Sequence, residues 1–344
     1  MPLPAPIQDL AHRALRNLRL SVTDRCNLRC HYCMPEREYT WLPRKDRLSF
    51  EELTAITAAM IPLGVRQVRL TGGEPLLRRG LDQLVSQLTA LPGLEDVALT
   101  TNGVLLTEQA GDLRAAGLKR LTVSLDTLKA KRFEDTTRQD LLPRVLAGLK
   151  AASRAGFEQI KLNTVLLRGS NDDELEDLLD YALESNFELR FIEYMDVGGA
   201  QNWKQDFVVS KDQILERIRK RFGEPIPVET PDYVPARRWR LPQGGTFGIV
   251  ASTTAPFCSA CNRARITADG RLYTCLYGTE GLDLRAMMRQ PGGAQLVVQA
   301  ITERWTQRND RGAEERLEAQ DRGAFQKVED LKQNPHWEMH TKGG

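Results

Sequence analysis

Cys26, Cys30 and Cys33 stand in a C-x3-C-x2-C array within SVTDRCNLRCHYCMP, just after a strand-like apolar run. Thiolates so close in sequence can surround one metal centre with little loop-closure entropy to overcome. Iron–sulfur clusters usually take four cysteines, so three would leave one iron of a [4Fe–4S] cube open to a ligand that is not protein. Structural zinc is the competing reading. It wants four ligands and favours C-x2-C pairs, and His31 is the nearest candidate for the fourth. A second trio, Cys258, Cys261 and Cys275, forms C-x2-C-x13-C in PFCSACNRARITADGRLYTCLYG. The turn Ala268-Asp269-Gly270-Arg271 has hairpin chemistry and would return Cys275 beside the pair. A second cluster with an open iron is expected here. A Cys2His2 zinc site using His336 and His340 is the alternative, and it leaves Cys275 without a role.

Several cations sit where strands should be: Arg19 in LRLSV, Arg69 in VRQVRLTG and Lys161 in IKLNTVLL. A buried charge without a partner is costly. Each therefore reaches solvent, meets an acid, or faces an anionic substrate. Arg263 and Arg265, at i and i+2 of an extended segment, would share one face, where guanidinium forks suit phosphate; a solvated surface pair is the plainer reading. In Thr71-Gly72-Gly73-Glu74-Pro75 the paired glycines let the backbone approach a ligand, and a carboxylate follows at once. Asn102-Gly103 fits either a site or an ordinary turn. Gly343-Gly344 reads as a frayed end or as a tail without side chains that threads a narrow site.

The elements that must position these residues follow a βα rhythm. Strand-like runs fall at 18–23, 67–71, 96–101, 120–125, 160–166 and 188–195, with helix-like stretches between them at 50–63, 80–91, 107–116, 141–155 and 172–186. Ser49 with Glu52 three residues on is a capping box. Repeated βα units imply a parallel sheet with helices outside, and six strands are too few for a complete eight-stranded barrel. The fold class expected is α/β, an incomplete (βα)6 TIM-type barrel over residues 1–200. A smaller C-terminal α+β region over 201–344 would close its open side. Active sites of such barrels gather at the C-terminal strand ends. Past the helix-like LVVQAITERW, the charged run 307–322 suggests solvated helix or disorder rather than chemistry.

The 344 residues carry 48 Lys and Arg against 46 Asp and Glu, a formal charge of +2. That balance argues against a general nucleic-acid surface. No run approaches the ~18 apolar residues of a membrane span, and the first twenty residues lack a signal core. A soluble cytoplasmic enzyme is expected, in which the six cysteines are metal ligands rather than disulfides.

The cysteine loop and the Gly-Gly-Glu-Pro strand end resemble those of radical S-adenosylmethionine (SAM) enzymes. The resemblance implies that SAM chelates the open iron, with Tyr32, Gly73, Ser124 and Met195 lining its site. Together LRLSVTDRCNLRCHYCMP, TGGEPLLRR, TTNG, VSLD, FCSACNRARITADGRLYTCL and the terminal Gly-Gly resemble, over nearly the whole chain, the GTP 3′,8-cyclase family (MoaA) of molybdenum-cofactor biosynthesis. This likeness implies two [4Fe–4S] clusters, and GTP bound by Arg19, Arg69, Thr100, Lys161, Arg263 and Arg265. It also implies a catalytic part for Gly343 and Gly344. The expected product is (8S)-3′,8-cyclo-7,8-dihydroguanosine 5′-triphosphate, passed to a cyclic pyranopterin monophosphate synthase, with an external electron donor and a homodimer as further expected partners. The segment Trp337–Lys342 is more polar than the resemblance leads one to expect. Two other readings stay open here: another radical SAM enzyme with an auxiliary cluster, such as a peptide maturase, or an iron–sulfur or zinc binding protein without catalysis.

Overall fold

The computed structural model describes residues 4–320 and 322–343. Its six expected strands are β1 (Asn17–Ser21), β2 (Gln67–Thr71), β3 (Asp96–Thr101), β4 (Arg120–Ser124), β5 (Gln159–Leu166) and β6 (Glu188–Glu193). The helices between them are α1 (Phe50–Met60), α2 (Leu81–Thr89), α3 (Leu106–Ala115), α4 (Ala130–Thr137), α5 (Leu142–Arg154) and α6 (Leu175–Glu184). The capping box opens α1 as expected: Ser49 Oγ accepts from the Glu52 amide and Glu52 from the Ser49 amide. The short helix α4 carries only Phe133 as a large apolar anchor, too little periodicity to be read from sequence.

The strands β1 to β6 pair in parallel in chain order. Side chains alternate across a sheet with a period of two, and the register turns that rule into ranks. One rank runs Ile266, Leu20, Leu70, Leu99, Leu121 and Ile160, all buried in the main apolar cluster. Each such side chain contributes about 1.5–3 kcal/mol on full burial. The adjacent rank, on the opposite face, runs Arg265, Arg19, Arg69, Ala98 and Arg120. The same alternation that fills the core therefore lines the lumen with guanidinium groups.

The C-terminal part adds α7 (Lys211–Phe222), β7 (Ile226–Val228), β8 (Arg237–Arg240), β9 (Thr246–Val250), β10 (Arg263–Ile266), β11 (Arg271–Tyr273) and β12 (Leu282–Asp283). Four helices follow: α8 (Leu284–Met288), α9 (Gly293–Thr306), α10 (Gly312–Glu318) and α11 (Val328–Gln333). Among the described residues all strands belong to one sheet, in the order β12-β11-β10-β1-β2-β3-β4-β5-β6-β9-β8-β7. Here β9 joins β6 in parallel and β10 joins β1 in parallel. The later strands thus extend the six-stranded core at both of its edges. The expected hairpin forms between β10 and β11, with Gly270 at φ +88° in its turn.

Within the charged run after α9 the expected solvated helix forms as α10, but several of the run's charges are buried or paired. Arg308 is buried and donates to Asp9 Oδ2 at 3.1 Å and to the Cys261 carbonyl at 2.8 Å. Arg316 and Arg322 both pair with the fully buried Asp196. Composition counts charges without showing which of them find buried acids, and here several do. No helix among the described residues is long and apolar enough to cross a membrane.

Candidate active site in the barrel lumen

Both cysteine trios border one cavity of about 570 Å³. Cys26, Cys30 and Cys33 lie on the loop that leaves the C-terminal end of β1. Cys258 and Cys261 enter the N-terminal end of β10, which is parallel to β1, and Cys275 follows β11 at that same end. The trios therefore occupy opposite ends of a strand pair; five residues of strand span roughly 13 Å.

The first loop is held from outside. The amides of Arg29 and His31 donate to the carbonyls of Thr137 and Thr136, the last turn of α4. Glycines make the close approaches possible. A Cβ on Gly199 would stand 1.9 Å from the Cys33 carbonyl, and one on Gly73 would stand 2.4 Å from the Arg25 carbonyl. The Gly72-Gly73 pair is thus needed first for contact with the cysteine loop itself. Glu74 does not reach the cavity. Its buried carboxylate accepts from the amides of Leu76 and Asn102 and from Thr101 Oγ1, and so ties the second strand's turn to the third. Burial pushes this carboxyl up to about 7.

The donor sets fit iron–sulfur ligation. All six cysteines are free. Leu28 N donates to Cys26 Sγ at 3.4 Å, Asn102 Nδ2 approaches the same sulfur at 3.8 Å, and Arg263 donates to Cys261 Sγ at 3.5 Å. Hydrogen bonds to sulfur are how a protein tunes such a centre. No group of three or more His, Cys, Asp or Glu among the described residues is placed to hold a single metal ion. The alternative Cys2His2 site is overturned, because His336 bonds Asp269 at 2.7 Å and His340 is buried against the rings of Tyr39 and Trp41. Its neighbour rings, not the cysteines, surround that imidazole.

The two trios differ electrostatically. Burial pushes Cys26 up to about 11, and burial with neighbouring thiols also raises Cys30 and Cys33. At Cys261 burial acts the same way, but Arg263 and Arg308 outweigh it and bring the thiol down to about 6. Iodoacetamide at pH 7 is therefore expected to alkylate Cys261 before Cys26 in metal-free protein. Thiolate fraction favours Cys261, its lower basicity costs part of that advantage, and a ratio of tens of fold remains. Peptide mapping that found Cys26 labelled first would contradict this electrostatic picture.

The residues expected to hold SAM, Tyr32, Gly73, Ser124 and Met195, all line the cavity. Tyr32 donates its hydroxyl to Asp126 at 2.5 Å. Arg19, Arg69, Thr100, Arg263 and Arg265 line it too. Arg69 donates to Thr100 Oγ1 and Thr122 Oγ1, each at 3.1 Å. Burial and then the neighbouring cations lower Arg69 and Arg265 to about 10. Lys161 is the register partner of Thr122, which lines the cavity; its ammonium lies 3.6 Å from Glu188, and Arg190, Arg120 and Arg69 are its cationic neighbours. Arg190, which sequence reading did not single out, lines the cavity and shares that same Glu188. The only sequence signal for it was a cation at alternate spacing in β6. Asp9 and Arg13 were missed as well: Arg13 donates to the Cys258 carbonyl at 2.9 Å, from a segment with no motif.

The tail enters the same space. Gly343 O accepts from Arg19 and Arg265, register neighbours, each at 3.3 Å. Gly343 has φ +71°, and a Cβ there would stand 2.1 Å from Thr71 Oγ1. Gly344 lies outside the described residues.

Fold and cysteine loop are those of the radical SAM superfamily, whose family model matches residues 20–182, while a model described as Molybdenum Cofactor Synthesis C matches residues 187–314. Streptococcus suis SuiB bound to S-adenosylmethionine shares the fold at TM-score 0.54 and 16% identity, over 78% of this chain and 62% of that one. GTP 3′,8-cyclase 1 of Mycobacterium tuberculosis (strain CDC 1551 / Oshkosh) is 49% identical over 351 residues, covering 100% of this chain and 98% of the relative. GTP 3′,8-cyclase of Acidothermus cellulolyticus is 48% identical over 320 residues, covering 90% and 88%. The chain belongs to the GTP 3′,8-cyclase family. It is an enzyme whose superfamily works with SAM and an iron–sulfur cluster.

Proposed function

We propose that the chain converts GTP to (8S)-3′,8-cyclo-7,8-dihydroguanosine 5′-triphosphate, the first step of molybdopterin formation. The observation that carries this reading is the shared cavity: two cysteine trios at opposite ends of β1 and β10, with Arg19, Arg69, Arg263 and Arg265 on its wall. Cys26, Cys30 and Cys33 would hold a [4Fe–4S] cluster, which with SAM would supply the radical chemistry that removes a hydrogen from the substrate. Cys258, Cys261 and Cys275 would hold a second cluster at the other end of the cavity, beside the site proposed for the guanine. The arginine rank binds the triphosphate by charge-assisted bonds, while Thr100 orients the ribose beside Arg69. In the overall reaction the C3′ hydrogen would pass to the 5′ carbon of SAM, which one electron cleaves to 5′-deoxyadenosine and methionine, a C3′–C8 bond forms, and a second electron with one proton completes the dihydropurine, both electrons coming from the external donor. Product and GTP therefore have the same composition. The chain's own work is to hold C3′ and C8 in line and to keep water out of the lumen.

The division at residues 200 and 201, cytoplasmic location, an external one-electron donor, a homodimer and a cyclic pyranopterin monophosphate synthase as consumer of the product belong to the same proposal. Anaerobic reconstitution followed by SAM, dithionite and GTP tests it. The reading requires 5′-deoxyadenosine that rises with GTP, together with an isomer of GTP. Deoxyadenosine indifferent to GTP would overturn the substrate. Arg263→Ala with Arg265→Ala is expected to weaken GTP binding about a hundredfold or more, since each charged hydrogen bond is worth ~1.5–3 kcal/mol. Titration of GTP into the reconstituted double variant measures this, and unchanged affinity would move the triphosphate elsewhere.

A further inference from the structure

Lys342 is an ammonium group in an almost closed environment, with 1% of the residue exposed. Burying such a charge is expensive unless it is fully hydrogen-bonded. Its Nζ donates to the Leu276 carbonyl at 3.1 Å and to the Gly278 carbonyl at 2.6 Å, and lies 4.9 Å from the centre of the Tyr273 ring. These three residues flank Cys275, and the Gly278 amide donates back to the Cys275 carbonyl. One residue further on, Gly343 O sits between Arg19 and Arg265.

We infer that Lys342 is a positioning residue: its ammonium fastens the C-terminal tail to the turn carrying Cys275, and so fixes where Gly343 lies against Arg19 and Arg265. The rest of the tail is seated by polar contacts of the same kind. His336 bonds Asp269, Trp337 Nε1 donates to the Thr279 carbonyl at 2.8 Å, and Glu338 accepts from the Gly199 amide at 3.2 Å. Gly199 in turn presses on the Cys33 carbonyl. The tail thus bonds the turn carrying Cys275 directly through Lys342 and, through Glu338, the Gly199 backbone that packs beside the Cys33 carbonyl. An apolar side chain at 342 would fill the slot but leave two carbonyls without a donor. The consequence for substrate rests on the GTP reading above; the tether itself does not.

The test uses reconstituted holoenzyme carrying Lys342→Met, which keeps the length and loses the charge, and Lys342→Arg, which keeps the charge. Hydrogen exchange of the tail peptide reads the tether. The Thr341 and Lys342 amides, both bonded to the Glu338 carbonyl, are expected to exchange at least ~10-fold faster in K342M and near the parent rate in K342R. Electron paramagnetic resonance of the cluster on Cys258, Cys261 and Cys275, followed against GTP concentration, reads the site. The half-change concentration is expected to rise ~10-fold in K342M and to return in K342R, with iron content equal in all three. Parent-like exchange in K342M would overturn the tether. Faster exchange with an unmoved half-change concentration would overturn the link to substrate. A parent enzyme whose signal ignores GTP would instead sink the GTP reading, while the exchange arm still decides the tether.

Discussion

Cys26→Ser is expected to bring 5′-deoxyadenosine formation down to the level of enzyme-free controls. The reason is ligand chemistry rather than folding. Cys26 sits on a loop fixed from elsewhere, by Arg29 and His31 on α4 and by the Gly73 and Glu74 amides on the Thr23 and Arg25 carbonyls. The loop survives loss of one sulfur, but a hydroxyl is a poor substitute for a thiolate on iron. Far-ultraviolet dichroism should match the parent, iron should fall toward that of one cluster, and SAM should stay intact under dithionite. Cys261→Ser makes the control, because it removes a proposed ligand of the second trio, at the other end of the β1–β10 pair, and should leave SAM cleavage measurable. Retained deoxyadenosine in the Cys26 variant would place the SAM site elsewhere.

The second large effect is expected at Gly343→Ala. The backbone there has φ +71°, a region that side chains with a Cβ disfavour, and the added carbon would meet Thr71 Oγ1 at 2.1 Å. Thr71 is the last residue of β2, fixed by its register with Ser21, so the tail must yield. Withdrawal of Gly343 takes its carbonyl from Arg19 and Arg265, the wall proposed to align the triphosphate. A misplacement of about 1 Å can cost on the order of a hundredfold in rate, and cyclisation should fall by at least that much. Fold and iron content should not change, because the tail follows every strand. Deoxyadenosine should still form, now uncoupled from GTP isomerisation. The ratio of the two products, measured in one reaction, is the check; a coupled ratio like the parent's would remove Gly343 from the site.

Local signals carried much of this architecture. Strand ends, the capping box at Ser49 and the hairpin at Gly270 are short-range features, and they appear where the pattern places them. Long-range partnerships were harder to see. That β9 and β10 extend the parallel sheet at its two edges depends on pairings between segments far apart in the chain. Lys161 looked like Arg69 in sequence, each a cation inside an apolar strand. Glu188, its register partner on β6, gives Lys161 an acid at 3.6 Å that the sequence does not display. Glu74 stood out as a carboxylate directly after two glycines, but three donors from neighbouring turns consume it. The polar tail looked poorly suited to docking because apolar burial is the commoner way to seat a chain end. Its partners are carbonyls and a carboxylate that composition does not reveal. The candidate ligands were legible because metal chemistry restricts residue type and spacing, whereas Arg190, Asp9 and Arg13 carry no such restriction.

The most direct test of the central claim is a turnover with GTP deuterated at C3′, SAM and dithionite, followed by mass spectrometry of the nucleosides. The deuterium is expected in 5′-deoxyadenosine and absent from an isomer of GTP formed in step with it. Unlabelled deoxyadenosine, with GTP recovered unchanged and still deuterated, would contradict it.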